Sequence, residues 1–340
     1  RFNGDTGSNY NRQHMQGSIS TASAGRNTNG TGIHAGQNES GSYEFGTTEI
    51  LIPDAFSTRS HKSTIALSGA TEDSMQAITG RWANTAAITS VTIYTSGVHY
   101  SVGSDFQLCV VDESFNIDEQ IKASSGTFTV GSIAAADGDL VAIGNLRGTR
   151  DQGVETASLY FNSDTTSGNY PSQRLHGSDT TVAAASLSNR VAATAAAQNT
   201  TGAFGALVIQ MPNTSDGAND PIIVSHGGYH GDSSTSRVST YSQRWNNVAA
   251  VTAFELDADG GDWLTGSMLS TYAVPKNLIT RVKLTSDTRD VTFSSIPQNY
   301  DHLEVTMYAK RDRASTSDST FMYFNGDTTA ANYDRQQLRG

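Results

Sequence analysis

The chain has 340 residues, of which 16% are charged, and its net charge is −11 at pH 7. This acidic balance argues against a nucleic-acid partner, whose phosphates need a basic face, and against anionic membranes. No apolar run of about 18 residues occurs, so we expect no membrane insertion. The single cysteine, Cys109, excludes an internal disulfide framework. It lies in an alternating segment, which favours a small buried or half-buried strand residue over a reactive thiol or an interchain bridge.

A long repeat organises the chain. Residues 2–17, 161–177 and 324–340 carry the same motif, which opens with FNGDT or FNSDT and continues to a tyrosine and a glycine. The period is about 160 residues, far above the roughly 20–50 residues of a solenoid unit. An Arg-Trp pair follows the first two copies, as Arg81-Trp82 and Arg244-Trp245. The landmarks keep one order, which predicts a repeating domain large enough to bury its own core.

Strands are predicted wherever apolar and polar residues alternate between clusters of Gly, Asn, Asp and Ser. In chain order the clearest are residues 49–54, 88–94, 105–111, 126–131, 208–213, 267–274, 291–293 and 303–308. The segments 18–36 and 180–197, rich in Ala, Gly and Asn, are predicted as loops with at most one helical turn. Many short strands at regular spacing predict an all-β fold of tandem antiparallel β-sandwich, jelly-roll-like domains.

The repeat sets the domain frame. Residues 113–275 are predicted to hold a complete repeat, 1–112 the C-terminal two-thirds of one, and 276–340 the N-terminal third of another. Residues 276–322 supply the strands that 1–112 lacks. Joining these two parts would bring 324–340 to the place already taken by 2–17. We therefore expect each part-repeat to pack against the equivalent segment of an adjoining repeat.

The FNGDT motif is predicted to be structural. Its phenylalanine ends a strand in the core, its Asn and Gly tolerate a positive φ, and its Asp or Thr binds backbone N–H groups. The following tyrosine packs back over the turn. The alternative is a cation or sugar site built on the motif carboxylates Asp5, Asp164 and Asp327.

An acidic cluster, Asp257, Asp259 and Asp262, has the spacing of the start of a calcium loop. No glutamate follows at the distance that an EF-hand needs, so a hairpin loop is predicted, with a Ca²⁺ site as the alternative.

A histidine pair, His226 and His230, has a spacing that binds zinc on a helix face. The two glycines between them predict a surface loop instead. If a three-fold axis passed nearby, the pair could meet its symmetry copies around an axial ion.

The Arg-Trp pairs allow two interpretations. Tryptophan faces bind sugar rings and cations. Because each pair begins an apolar strand, a lid on the core is favoured, with the arginine bound to a carboxylate or carbonyl. No nucleophile elbow, zinc-protease motif or phosphate loop occurs in the sequence. We predict no catalytic, cofactor-binding or metal residues, and no enzyme activity.

A family resemblance rests on the order of these segments. The combination of SSIPQNYDHLEVTMYAKRDR at 294–313, the FNGDT motif, a Pro-containing strand and RWANTAAITSVTIY at 81–94 resembles a β-sandwich module. This module is found in tail-fibre and virion-surface proteins of cyanophages and other marine phages. The resemblance covers essentially the whole chain. Repeat 113–275 departs at Ala134, where the later copy has Pro297, and at Ser163, where the other copies have glycine.

The resemblance implies a structural or adhesive protein on a virion surface or extracellular appendage. It would act by multivalent attachment to a host cell-surface glycan and would self-associate as a homotrimer or fibre. One alternative is a cellular extracellular filament or adhesin. The other is a tailspike polysaccharide depolymerase, which would need two carboxylates about 5–10 Å apart in a groove.

Overall fold

The structure is a computed structural model and describes residues 1–340 except 18–21, 38–45, 71–73, 96–98, 103, 112–115, 135–139, 212–219, 232–235, 274–275, 285, 299–302, 310–318, 329–332 and 339–340. The described residues form strands and turns, with one short 3₁₀ turn at Ser167–Asn169. The predicted all-β fold is confirmed. The end of the predicted strand 208–213 lies outside the described residues.

The strands, numbered in chain order, are β1 (Gly4–Thr6), β2 (Asn9–Gly17), β3 (Ala22–Gly30), β4 (Ile33–Gln37), β5 (Gly46–Ile52), β6 (Lys62–Ala70), β7 (Ser74–Trp82), β8 (Val91–Thr95), β9 (Asp105–Val111), β10 (Asn116–Ile121), β11 (Phe128–Val130), β12 (Leu140–Leu146), β13 (Val154–Phe161), β14 (Pro171–Ser178), β15 (Thr181–Ser188), β16 (Arg190–Ala195), β17 (Gly205–Met211), β18 (Ile222–Tyr229), β19 (Arg237–Arg244), β20 (Phe254–Ala258), β21 (Met268–Ala273), β22 (Lys276–Lys283), β23 (Asp290–Phe293), β24 (Leu303–Ala309), β25 (Ser319–Phe324), β26 (Gly326–Thr328) and β27 (Tyr333–Leu338). They divide into two compact units. The first unit comprises Arg1–Val111, Gly177–Val182 and Lys276–Gly340, and the second comprises Asp112–His176 and Ala183–Pro275.

The second unit is a sandwich of two sheets. Its larger sheet has the order β10-β21-β12-β17-β18-β19-β14-β15, and its smaller sheet has the order β11-β20-β13-β16. Ladders such as β12–β17 and β13–β20 are antiparallel. Buried apolar side chains of both sheets form one core, with Leu140 and Leu207 from the larger sheet and Leu159 and Leu256 from the smaller. Burial of this layer between the sheets is the main source of the unit's stability.

The first unit has the same architecture with a different chain order. Its sheets are β22-β9-β24-β5-β6-β7-β2-β27-β3 and β23-β8-β25-β4. The strands of the two units correspond position by position in these sheet orders, with β22 in the place of β10, β9 in the place of β21 and so on to β3 in the place of β15. In the larger sheet, β27 is added between β2 and β3. The register agrees as well. Leu303 pairs with Ile52, as Leu140 pairs with Met211 in the second unit.

The two part-repeats therefore pair with each other. Strands β22 to β25, which were expected to pack against an adjoining repeat, lie instead between and beside strands of residues 1–111 of the same chain. The physical reason is complementarity, because 1–111 lacks the strands that 276–324 supplies. Leu303, which would otherwise face water, is fully buried in the first unit's core.

The small-residue segments are strands, and their prediction as loops was wrong. The described parts of 18–36 form β3 and most of β4, and 180–197 contains β15 and β16, joined at Asn189 with φ 51°. In β16 the cause is close approach of the two sheets of the second unit. A Cβ added at Gly227 in β18 would lie 3.0 Å from the Ala192 Cβ in β16, and one at Gly205 in β17 would lie 3.1 Å from the Ala195 backbone nitrogen in β16. Small residues are needed at these contacts, whereas β3 and β15 are exposed or half-buried.

This close approach gives a first testable prediction. Gly205→Ala should lower the free energy of unfolding by about 1–3 kcal/mol, because the new methyl group meets backbone atoms that cannot easily move. Gly168→Ala is the matched control, since no atom lies within 4 Å of an added Cβ there. Urea unfolding followed by circular dichroism measures both. Equal stability of the two variants would contradict the explanation.

Candidate functional site

In each unit, the motif carboxylate is bound to the tryptophan of the Arg-Trp pair. In the second unit, Asp164 Oδ2 accepts hydrogen bonds from Trp245 Nε1 at 3.0 Å and Asn169 Nδ2 at 2.8 Å. Its Oδ1 accepts one from the Thr166 backbone N–H at 3.0 Å. The last bond is an Asx turn, in which the side chain caps an amide two residues on. We call the Asp, Asn and Trp side chains the Asp–Trp node.

The first unit repeats this node. Asp5 Oδ2 accepts hydrogen bonds from Trp82 Nε1 at 3.0 Å and Asn9 Nδ2 at 2.7 Å. Asp5 Oδ1 accepts one from the Gly7 backbone N–H at 2.8 Å. The two nodes agree although the Asp-to-Asn spacing is one residue shorter in the first unit. The geometry of the node is therefore a property of the repeat.

The node stabilises the charged carboxylate. Hydrogen bonds from Trp245 and then Asn169 lower the pKa of Asp164 from 3.8 to about 2, against the opposing effect of burial. The hydrogen bonds from Trp245, Asn169 and Thr166 occupy acceptor positions on both carboxylate oxygens of Asp164, and a cation or a sugar hydroxyl would need those positions. The described contacts of Asp5 and Asp164 thus favour the structural interpretation of the motif. The side chain of Asp327 lies outside the described residues.

The motif tyrosine packs back as predicted. Burial raises the pKa of Tyr170 to about 12. Its hydroxyl accepts a hydrogen bond from the Phe161 N–H at 2.9 Å and donates one to the Asp164 carbonyl at 2.9 Å. The Phe161 ring, which is fully buried at the end of β13, lies 5.4 Å from the Trp245 ring centroid. The phenylalanine, the turn and the tyrosine thus form one closed corner.

The motif asparagine makes a second link, which the sequence analysis did not identify. Asn162 has φ 50°, and its Oδ1 accepts hydrogen bonds from the N–H groups of Thr252 at 2.8 Å and Ala253 at 3.1 Å. Its Nδ2 donates to the Ala250 carbonyl at 2.8 Å. Asn3 makes the same set of contacts to residues 87–90. The recurrence of this asparagine in all three motif copies was the signal that could have revealed the link.

The tryptophans are lids on the core. Trp82 is 0% exposed and Trp245 1%, so neither ring presents a face to a sugar. Arg244 pairs with the Asp220 carboxylate at 3.7 Å and is half-exposed, an arrangement that contributes little to stability. Arg81 is buried. The interpretation as a sugar-stacking platform does not fit this structure.

The acidic cluster has separate partners. Asp257 accepts a hydrogen bond from the Thr127 hydroxyl at 3.1 Å, and Asp259 pairs with Arg190. The segment is not the predicted hairpin loop. It is a turn, with Gly260 at φ 93°, that leads from β20 in the smaller sheet to β21 in the larger. Within the described residues, no three His, Cys, Asp or Glu side chains are placed to hold a metal ion.

The two histidines do not lie in a surface loop, and that prediction was wrong. His226 lies in β18, where its Nδ1 is 3.1 Å from the Thr240 hydroxyl, and His230 is buried just after the strand. The glycines between the histidines are part of this strand because the facing sheet lies close to it. A Cβ added at Gly227 would lie 3.0 Å from the Ala192 Cβ. Four residues of strand span roughly 13 Å, which separates the rings too far to share one ion. Cys109 lies in β9, and its side chain is outside the described residues.

A polar recess opens on the first unit. It has a volume of about 380 Å³ and is lined by Asp54, Phe56, Ser57, Thr58, Arg59 and Gln298. Asp54 and Arg59 form an ion pair at 3.5 Å. Nearby, burial lowers the pKa of Lys62 to about 8, and its ammonium donates to the Ser60 carbonyl at 3.1 Å. The corresponding segment of the second unit, 212–219, lies outside the described part of the chain.

The fold and the node define an all-β sandwich protein whose repeated motif is a structural corner. Searches against family models and curated proteins find no match for the chain. Among the described residues, no helix has the length and apolar character that crossing a membrane requires.

The node predicts acid sensitivity. Because folding lowers the pKa of Asp164, its contribution to stability is present above 3.8 and is lost as the pH falls towards about 2. Asp164→Asn should remove this loss and should also destabilise the second unit at neutral pH. Acid titration of tryptophan fluorescence measures both effects. The exposed Asp151→Asn is the control, and an acid profile of Asp164→Asn identical to that of the unchanged protein would contradict the prediction.

The asparagine link gives a third prediction. Asn162→Gly keeps the left-handed backbone but deletes the bonds to Ala250, Thr252 and Ala253, so we expect a loss of about 1–3 kcal/mol of stability. Ser132 also has a positive φ, of 60°, and is exposed, so Ser132→Gly should be neutral or stabilising. Chemical denaturation of the two variants makes the comparison. A Ser132→Gly loss as large as that of Asn162→Gly would show that backbone freedom alone explains the effect.

Proposed function

We propose that this chain is a structural and adhesive repeat protein of a phage fibre or virion-surface appendage. The observation that carries the proposal is the repeated Asp–Trp node. In both units the most distinctive polar residues bind one another and close a corner of the sandwich. A repeat whose shared residues stabilise its own fold suits a fibre protein, because each repeat adds length and presents one more copy of the same surface.

Attachment would come from many weak contacts. Charged residues are few, and the chain is rich in glycine, with 32 of 340 residues. Linking several sites on one particle raises the overall avidity far above the affinity of one site. The recess beside Arg59 has the volume of a small-ligand site and a polar lining, so we place the glycan contact there.

Self-association fits the same role. Each sandwich has open strand edges, and the neighbouring copies in a symmetric assembly can cover them. We propose a homotrimer within a fibre. Native mass spectrometry and negative-stain electron microscopy of the intact chain test this, with trimers and elongated particles as the expected result. A monomer at all accessible concentrations would overturn the proposed assembly.

The glycan proposal has its own test. Arg59→Ala should weaken binding to capsular or lipopolysaccharide glycans by about ten-fold, because a charged hydrogen-bond donor is lost from the recess. Arg289→Ala removes the same charge from an exposed site and should bind like the unchanged protein. Biolayer interferometry on immobilised glycans measures both. Equal loss in the two variants would indicate a charge effect, and no binding by any of the proteins would reject the adhesive role.

The same glycans distinguish an adhesin from a depolymerase. After prolonged incubation, an assay for reducing ends should detect no released oligosaccharide. Release that disappears on mutation of a single carboxylate would replace the proposal with hydrolysis of host polysaccharide.

A further inference from the structure

The inner face of the second unit's larger sheet carries a basic cluster close to the end of the smaller sheet. The smaller sheet ends at β16, which packs on β18 and β19, whereas the larger sheet continues past β19 with β14 and β15. On β14, Ser172 and His176 are buried and Arg174 is half-buried, while the residues that alternate with them are exposed. Strand β14 therefore turns these three side chains towards the inner face.

Strand β19 brings two more polar side chains to the same face. The Gln243 Nε2 donates a hydrogen bond to the Leu159 carbonyl of the smaller sheet at 3.2 Å. Residues at even spacing from Gln243 share its side of the strand, because side chains alternate between the two faces. Tyr241, which is buried, and Arg237, which is half-buried, occupy these positions.

The register of the ladder places these side chains next to one another. In the first unit, β2 and β7 take the places of β14 and β19, and His14 pairs with Ile78. The same register in the second unit puts Arg174 opposite Tyr241. Neighbours across a ladder and along its diagonals lie within reach of long side chains. We call Ser172, Arg174, His176, Arg237 and Tyr241 the basic cluster.

The positive charge of the basic cluster is not neutralised. Burial, and then the charges of Arg174 and Arg237, lower the pKa of His176 to about 4. A backbone hydrogen bond with Ala183 acts in the opposite direction but does not restore the ordinary value. Among the residues that the structure describes, no carboxylate forms an ion pair with Arg174 or Arg237.

The cluster also holds buried polar atoms that lack partners. In the described structure, five such atoms have no hydrogen-bond partner, namely Ser172 Oγ, Arg174 Nε, His176 Nδ1, Arg237 Nε and Tyr241 Oη. Buried polar groups in folded proteins are nearly always paired, so each of these atoms requires an explanation. All five can donate a hydrogen bond, and the arginines can only donate. The ligand that satisfies such a set is one that accepts hydrogen bonds and carries negative charge.

Basic residues recur in this strand of the repeat. They occur two, four or six residues after the motif tyrosine in every copy, as Arg12 and His14 in the first, Arg174 and His176 in the second, and Arg335 and Arg339 in the third. The pattern contrasts with the net charge of −11 for the whole chain. Positive charge is therefore concentrated at this place by the repeat itself.

We propose that the basic cluster is a binding site for an oxyanion, a phosphate or carboxylate group that is held between Arg174 and Arg237. Guanidinium groups bind both kinds of oxyanion through paired, charge-assisted hydrogen bonds. The hydroxyl groups of Ser172 and Tyr241 and the imidazole of His176 supply further donors. The inference stands independently of the proposed function, because it concerns the second unit and does not require an adhesive role.

Inorganic phosphate added to the intact chain is the first probe. Isothermal titration calorimetry should show saturable binding, and Arg174→Ala combined with Arg237→Ala should weaken it by at least about ten-fold, since two charged donors are lost. Arg244→Ala is the matched control. It removes the same charge from the other end of β19, where Arg244 pairs with Asp220, and should bind phosphate like the unchanged protein.

Nuclear magnetic resonance locates the bound phosphate. The imidazole resonances of His176, assigned with a His176→Gln variant, should shift during the phosphate titration and should not shift in the double variant. If the double variant fails to fold, Arg174→Gln and Arg237→Gln, measured singly, provide milder versions of the same test. Absence of saturable binding, or an equal loss of affinity in Arg244→Ala, would overturn the proposal.

A uronic-acid polysaccharide and its carboxyl-reduced form identify the source of the oxyanion. Binding of the intact polymer alone, lost in the double variant, would support the site and assign the oxyanion to a glycan. Binding of phosphate without either polymer would support the site and assign it to a small free anion. Neither result involves Arg59, so failure of the glycan contact proposed for the first unit would leave this test unaffected.

Discussion

The hydrogen bond from a buried tryptophan N–H to the motif aspartate is the interaction on which the rest of each sandwich depends. In the second unit it fixes Trp245, which directly follows the end of β19, against the turn at Asp164, about 80 residues away in sequence. The carboxylate would be costly to bury without donors, and the asparagine and the turn amide supply the other two. Because the same oxygen binds both side chains, one carboxylate fixes the positions of both.

Around this node, steric limits decide the composition. The two sheets of the second unit approach so closely that a Cβ added at Gly205 or Gly227 would crowd Thr194 or Ala192 of the facing strand β16. A composition rich in small residues is therefore compatible with strands in this fold. Large side chains are buried in the same unit as well, among them Trp245 and Trp263.

The alternation of apolar residues predicted the sheets well, since β9 and β24 lie where periodicity placed them. It failed for 180–197, because alanine carries no periodic signal even when it is buried. The segment 88–94 becomes a strand only from Val91, because the residues before it bind the motif asparagine. The Asp–Trp contact itself could not be predicted, since nothing local to Asp164 indicates which distant donor it meets. The repeat showed that both residues recur, and only the fold shows that they touch.

The agreement of register between the two units has a genetic meaning. Strands β22 to β25 reach their places by ladder pairing, although they follow rather than precede the strands that they join. The fold therefore does not require a single order of strands along the chain. The same tolerance underlies circular permutation. An unequal crossover between two FNGDT copies would delete or insert one whole unit and leave each ladder intact. Recombination of this kind would change the length of the protein by one repeat unit at a time, and every product would still be able to fold.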